Sequence, residues 1–446
     1  MSSTTASHSP ASSAAPLPVE RPEHPHAPAP LPGGRALRFR LIATTLSHTV
    51  VDFFSFIIIP LMTVLKGKLV LSDRDAAVLI AVGGITSGII QPIVAWLSDR
   101  YDTRLLGTLG VLTAVLAVGS VGFAQSYTTL LLLSILSAGG IGAYHPVAAA
   151  AMGHLSGPHR SFGLSVFYCA GMIGGVAGNV LSPLYVKAAG GGIAVNGLPA
   201  LVWLMVPGIM CVAVLAWAIH GVAHRQGGAH ELHAALPRAE RRRRWYGVWR
   251  LYLANVMRFG VDAAIIVLTI RWTESLALAK LQTPVLTEAA RTYAAQVNGP
   301  VQAAKQIGMG VGSLVIGWML RRSTARERRL MIAMPLVAAV TIPIIPHTSA
   351  SLGFVVMMIA GLGYGSMVAP TIAMAQRLLP HRTGLASGLM MGGAWAVGAG
   401  LAPLADALVD VVGLSAAFFA LAGVCVVSAV LATGVPRDAT MEANVQ

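Results

Sequence analysis

The sequence predicts an all-α membrane protein of twelve transmembrane helices in two pseudo-symmetric six-helix bundles. Hydrophobic residues make up 55% of the 446-residue chain and charged residues only 11%, where a soluble domain carries about 25% charged. Apolar runs of roughly 20 residues, enough to cross about 30 Å of hydrocarbon, recur about a dozen times. The chain also repeats itself. The stretch GGIGAYHPVAAAAMGHLSGPHRSFGLSVFYCAGMIGGVAGNVLSPL, from Gly139 to Leu184, is echoed by APTIAMAQRLLPHRTGLASGLMMGGAWAVGAGLAPL, from Ala369 to Leu404. Each places a Pro-His-Arg turn before a glycine-rich helix closed by Pro-Leu. Pro158 and Pro380, like Trp96 and Trp318, are 222 positions apart, and self-similarity at a fixed offset marks a duplicated unit.

In chain order, residues 1–36 are rich in Ser, Ala, Pro and His and contain no apolar run, which predicts a disordered cytoplasmic tail. With no cleavable signal region there, insertion falls to the first span. His8, His24 and His26 are expected to be solvated. The first bundle, 37–220, holds spans near 39–65, 76–98, 105–123, 127–156, 161–187 and 198–220. A cytoplasmic linker, 221–247, follows, whose run from Glu240 to Arg244 is expected to lie on anionic lipid headgroups. The second bundle, 248–434, holds spans near 248–272, 297–320, 329–346, 351–379, 384–409 and 413–434, and 435–446 is a second cytoplasmic tail. Residues 273–296 are longer than their first-half counterpart and predict a short external amphipathic helix.

The net charge of +14 is a topology signal. Arginines crowd alternate loops (Arg35, Arg38, Arg40; Arg100, Arg104; Arg160; Arg238 and Arg241 to Arg244; Arg321 to Arg329; Arg377, Arg382), while the intervening loops carry few. This positive-inside pattern predicts an even number of spans with both termini cytoplasmic and argues against a nucleic-acid partner. Cys169, Cys211 and Cys425 fall inside spans without metal-ligand spacing and are expected to be buried apolar thiols. No nucleophile–base set, metal cluster or phosphate-cradling loop stands out, so neither an enzyme nor a resident cofactor is expected.

The first span carries His48 and Asp52 four residues apart, on one helix face and about 12 and 18 Å along the axis from Arg40, near the bilayer midplane. The seventh span repeats the device. RLYLANVMRFGVDAA aligns with RLIATTLSHTVVDFF, which sets Asp262 against Asp52 and Arg258 against His48. Two readings stay open: local helix-stabilising pairs, His48 with Asp52 and Arg258 with Asp262, or a functional site, favoured because intramembrane charge is costly. In the fourth span Tyr144-His145-Pro146 is expected to interrupt a small-residue helix, freeing carbonyls beside a histidine that exchanges protons near neutral pH. Tyr168, Asn179 and Trp395 are cavity candidates by polarity or size, and Lys305 is expected to snorkel to the surface. After the second span, Asp99, Arg100 and Arg104 lie in a basic loop, its aspartate suited to a helix N-terminus.

These residues resemble the major facilitator superfamily and, within it, the fosmidomycin-resistance family of drug efflux proteins. The likeness rests on Ser47-His48 with Asp52, His145-Pro146, GGVAGNVLSPL from Gly174 to Leu184, and AQRLLPHRTGLASGL from Ala375 to Leu389. It covers nearly all twelve spans. Asp99, Arg100 and Arg104 match the superfamily's loop signature, and the resemblance implies a gating role for them; Ala95, Asp102 and Thr103 depart from it, and Val147 stands where the family commonly has an acidic residue, which leaves Asp52 and Asp262 as the better proton carriers. The resemblance implies the major facilitator fold, two bundles rocking about a central site lined by helices one, four, seven and ten. It implies a monomeric, proton-coupled efflux antiporter of a small organic, phosphonate-like compound or drug, powered by the proton gradient within membrane lipids. Asp52, Asp262 and His145 would couple protons; His48, Arg258, Tyr144, Tyr168, Asn179 and Trp395 would bind substrate. A proton-coupled uptake symporter for an organic anion is the alternative, and a transporter-like receptor or scaffold a more distant one.

Overall fold

The computed structural model describes residues 33–98, 101, 103–156, 160–220, 237–320, 326–379 and 382–435. Twelve helices in it are long and apolar enough to cross a membrane. They are α1 (Gly34–Leu69), α2 (Asp73–Ser98), α3 (Arg104–Phe123), α4 (Tyr127–Met152), α5 (Val166–Ala189) and α6 (Ala194–Ile219) in the first half. The second half has α7 (Arg238–Leu281), α8 (Glu288–Leu320), α9 (Glu327–His347), α10 (Ala350–Leu378), α11 (Leu385–Val412) and α12 (Leu414–Thr433). The described residues contain no strand, as a solvent without hydrogen-bonding partners demands of backbone that does not close into a barrel.

Each half has its own core, built around Phe54, Leu61 and Tyr144 in the first and Trp272, Tyr364 and Phe418 in the second. Large apolar side chains such as Trp203 and Phe419 are exposed on the outside, where lipid would cover them. The halves meet along two seams. On the α2–α11 seam a Cβ added to Gly88 would lie 2.5 Å from the backbone nitrogen of Ala396; on the α5–α8 seam one added to Gly299 would lie 2.3 Å from the carbonyl of Asn179. Only glycine lets these backbones approach so closely.

Several expectations change. The connection between α7 and α8 is not a separate helix: α7 runs on to Leu281 and α8 begins at Glu288, so the extra residues lengthen two spans. At 44 residues α7 is about 66 Å long, and its first ten residues occupy the end of the stretch read as linker. Pro146 does not interrupt α4, which continues through it to Leu155. The break lies in α1, between Gly34–Ser55 and Ile58–Leu69, one turn beyond Asp52. Cys425 is buried, but Cys169 and Cys211 are only half-buried, and all three are free thiols.

Candidate functional site

His48 and Asp52 share a face of α1, as their spacing requires, and their side chains are 5% and 7% exposed. The fold adds a third group from α4. His48 Nε2 lies 3.5 Å from Asp52 Oδ2, and His145 Nε2 lies 3.3 Å from Asp52 Oδ1. The opposite ring nitrogens are both committed: His48 Nδ1 is 2.7 Å from the Phe167 carbonyl and His145 Nδ1 is 2.8 Å from that of Ile141. A carbonyl only accepts, so each Nδ1 carries a hydrogen, and each Nε2 faces the carboxylate: bare when its ring is neutral, a donor to Asp52 when its ring is charged. The three groups thus form a site that can share a proton or hold another cation.

The surroundings hold this triad in place. His48 stacks on Phe167 of α5 at 4.0 Å between ring centres, and the Tyr144 and Ser47 hydroxyls share a hydrogen bond of 2.7 Å. Gly171 of α5 faces the pair so closely that a Cβ there would lie 2.5 Å from Asp52 Oδ2 and from His48 Cε1.

In the second half the paired-helix expectation fails. Asp262 is bound not by Arg258 but by Lys305 of α8, Nζ 3.0 Å from Oδ1, and by the Tyr364 hydroxyl of α10, which donates to the same oxygen at 3.0 Å. Lys305 therefore does not snorkel; it is 0% exposed, because the nearest carboxylate lies inward. Arg258, buried on α7, donates through Nη2 to Asn255 Oδ1 and, at 3.2 Å, to Thr371 Oγ1. Among the described residues its Nε and Nη1 have no hydrogen-bond partner.

Tyr168 of α5 lies beside Ser313 of α8 and within electrostatic reach of Asp52, Asp262 and Arg258. Asn179 and Trp395 sit in the seams. Asn179 donates to the Gly175 carbonyl beside α8; Trp395 packs on Phe259 at 5.0 Å and faces Gly84 of α2. Asp99 and Arg100 lie outside the described residues, and Arg104 opens α3.

The family model described as Major Facilitator Superfamily matches residues 44–403 and 284–444. The chain belongs to that superfamily. It is 21% identical over 356 residues to the fosmidomycin resistance protein of Escherichia coli K12, covering 80% of this chain and 82% of that one. With an uncharacterized MFS-type transporter of Bacillus subtilis, YfnC, it shares 22% identity over 401 residues, 89% of this chain and 93% of the relative. Among solved structures, a bacterial homologue of the human lysosomal transporter Spinster, inward-facing and unoccupied, has a TM-score of 0.65 at 16% identity, over 92% of this chain and 98% of that one. A peptide transporter, POT, has a TM-score of 0.65 at 14% identity, over 90% and 95%. As a member of the superfamily the protein is a multi-pass secondary transporter that works by alternating access.

Alternating access requires contacts that close one face and can be undone. On the arginine-poor face, Lys66 at the end of α1 donates to both oxygens of Glu274 on α7, each at 2.8 Å, and Thr63 donates to Glu274 at 2.5 Å. Asp73, opening α2, accepts from Lys66 and from Arg271 of α7. Arg271 also donates to Asp410 of α11 at 2.6 Å and lies 3.5 Å from Asp406. The first half contributes Thr63, Lys66 and Asp73; the second contributes Arg271, Glu274, Asp406 and Asp410. None of these was singled out as a site residue from sequence. The available signal was an unusual density of charge at the outer ends of apolar spans.

Proposed function

We propose that the protein is a proton-coupled efflux antiporter of the bacterial inner membrane, exporting a small organic anion, with phosphonate-like compounds as the first class to test. The observation that carries the reading is Arg258. A buried guanidinium with two unpaired nitrogens is expensive to keep, and a cargo carboxylate or phosphonate accepting from Nε and Nη1 would complete it in the bidentate manner arginine favours.

Coupling follows from the first half. Asp52, cradled by two histidine Nε2 atoms, takes up a proton when the site opens to the acidic side and releases it on the other. His145 serves as relay, and Asp262 holds Lys305 in the pseudo-symmetric position. Tyr168, within electrostatic reach of both centres, binds the cargo alongside Arg258. The relative whose name records resistance to fosmidomycin supports export over uptake. His48 and Tyr144 orient the triad, Asn179 and Trp395 line the moving seams, and the loop with Asp99, Arg100 and Arg104 gates the arginine-rich face.

The test uses everted membrane vesicles acidified inside. They should accumulate a phosphonate substrate with the native chain, lose accumulation with Asp52→Asn, and lose affinity for anionic but not neutral substrates with Arg258→Ala. Accumulation by Asp52→Asn under a pH gradient alone would overturn the coupling reading, and retention of anion affinity by Arg258→Ala would overturn the cargo reading.

A further inference from the structure

The three donors at the centre of the first half match a coordination shell that nothing in the sequence spacing announces, because they come from two helices ninety-odd residues apart. Their ligand atoms all lie within 4.8 Å of one another. The two histidine–carboxylate separations, 3.5 Å to Oδ2 and 3.3 Å to Oδ1, lie at or just above the roughly 3.3 Å between donors that four-coordinate zinc with bonds of about 2.0 Å imposes. The outer shell is already built: each ring gives its Nδ1 hydrogen to a backbone carbonyl, the arrangement that fixes the tautomer of metal-bound histidine. Stacking on Phe167 and the tight approach of Gly171 hold the His48 ring and the carboxylate together. His145, with its side chain 18% exposed, is the most open of the three and marks the path of entry.

We propose that His48, Asp52 and His145 form a binding site for a borderline divalent transition-metal ion such as Zn²⁺ or Co²⁺. Two imidazoles and one carboxylate suit these ions, whereas Mg²⁺ and Ca²⁺ need six or more oxygen ligands that this apolar interior does not supply. Three protein ligands leave a fourth position for water or an anionic group of the cargo. The ion occupies the space that the transferable proton uses, so it arrests transport; this last consequence, unlike the binding, rests on the proton-coupled reading above.

The test is equilibrium titration of the purified full chain with Co²⁺, followed by its visible absorption. Because His8, His24 and His26 in the N-terminal tail are competing ligands, the reference chain carries all three as alanine. That chain is expected to bind one Co²⁺ with a tetrahedral-type spectrum, and His145→Asn or Asp52→Asn on the same background to weaken binding by at least the 10- to 100-fold that even outer-shell changes cost. X-ray absorption of the Zn²⁺-loaded reference chain, which needs no triad variant to fold, is expected to count two imidazole ligands. A reference chain that binds no Co²⁺, or a Zn²⁺ shell without two imidazoles, overturns the proposal. Transport driven by a pH gradient without added metal is measured separately, so metal binding and proton coupling can fail independently.

Discussion

Removing Glu274 should release the arginine-poor face. In the closed arrangement Lys66 and Glu274 are 5% and 6% exposed, and Glu274 accepts three hydrogen bonds, two from Lys66 at 2.8 Å and one from Thr63 at 2.5 Å. Breaking a buried ion pair by deleting one partner costs about 3–5 kcal/mol. Lys66 keeps Asp73 as a second partner, whose side chain is 33% exposed, so a cost of about 2–3 kcal/mol is the better figure for Glu274→Ala. The pair joins α1 to α7 and must come apart when that face opens, so the cost falls on the closed state alone. At about 1.4 kcal/mol per factor of ten, the closed-to-open ratio should fall by roughly 30- to 150-fold. Val70 and Val411, 90% and 80% exposed at the ends of α1 and α11, are suited to paired spin labels on a background with Cys169, Cys211 and Cys425 replaced by serine. Electron–electron distance distributions should shift to longer separations in Glu274→Ala, with Glu274→Gln, which keeps the Thr63 bond, in between. An unchanged distribution in a folded Glu274→Ala protein would refute the assignment of this network as a closing contact.

Gly171→Ala places a Cβ 2.5 Å from Asp52 Oδ2 and His48 Cε1; pH-gradient-driven accumulation in vesicles should be lost while circular dichroism stays native. Lys305→Met leaves the Asp262 carboxylate buried with only Tyr364, and thermal unfolding should register a loss of about 3–5 kcal/mol, most of it recovered when Asp262→Asn is added. Gly88→Ala drives a methyl into the α11 backbone at Ala396 and Gly392; cross-linking across the α2–α11 seam should fall, and turnover should drop more than substrate affinity.

Much of the architecture was legible because it follows from short-range rules. The periodic apolar stretches survive as twelve helices, and the spans of the two halves recur at an offset close to 222 residues. Helical spacing alone put His48 and Asp52 on one face. The same rule misled in the second half: Arg258 and Asp262 are also four apart, yet the aspartate turns to Lys305 on α8 and Tyr364 on α10. Local spacing sets which side chains can meet on one helix, but a buried carboxylate takes whichever cation the neighbouring helices bring within 3 Å.

The amino-acid order by itself determined the class of protein, the number of helices able to cross a bilayer and the duplication, because hydrophobic matching to a bilayer and helical periodicity act within a few turns. Only the tertiary structure decided that His145 completes a triad with His48 and Asp52, that Arg258 keeps two unpaired nitrogens, and that Lys66, Asp73, Arg271 and Glu274 tie one half to the other. Those relations depend on the angle and register at which separate helices pack, and that geometry is set by backbone approach at glycines such as Gly88, Gly174 and Gly299, over distances no sequence window spans.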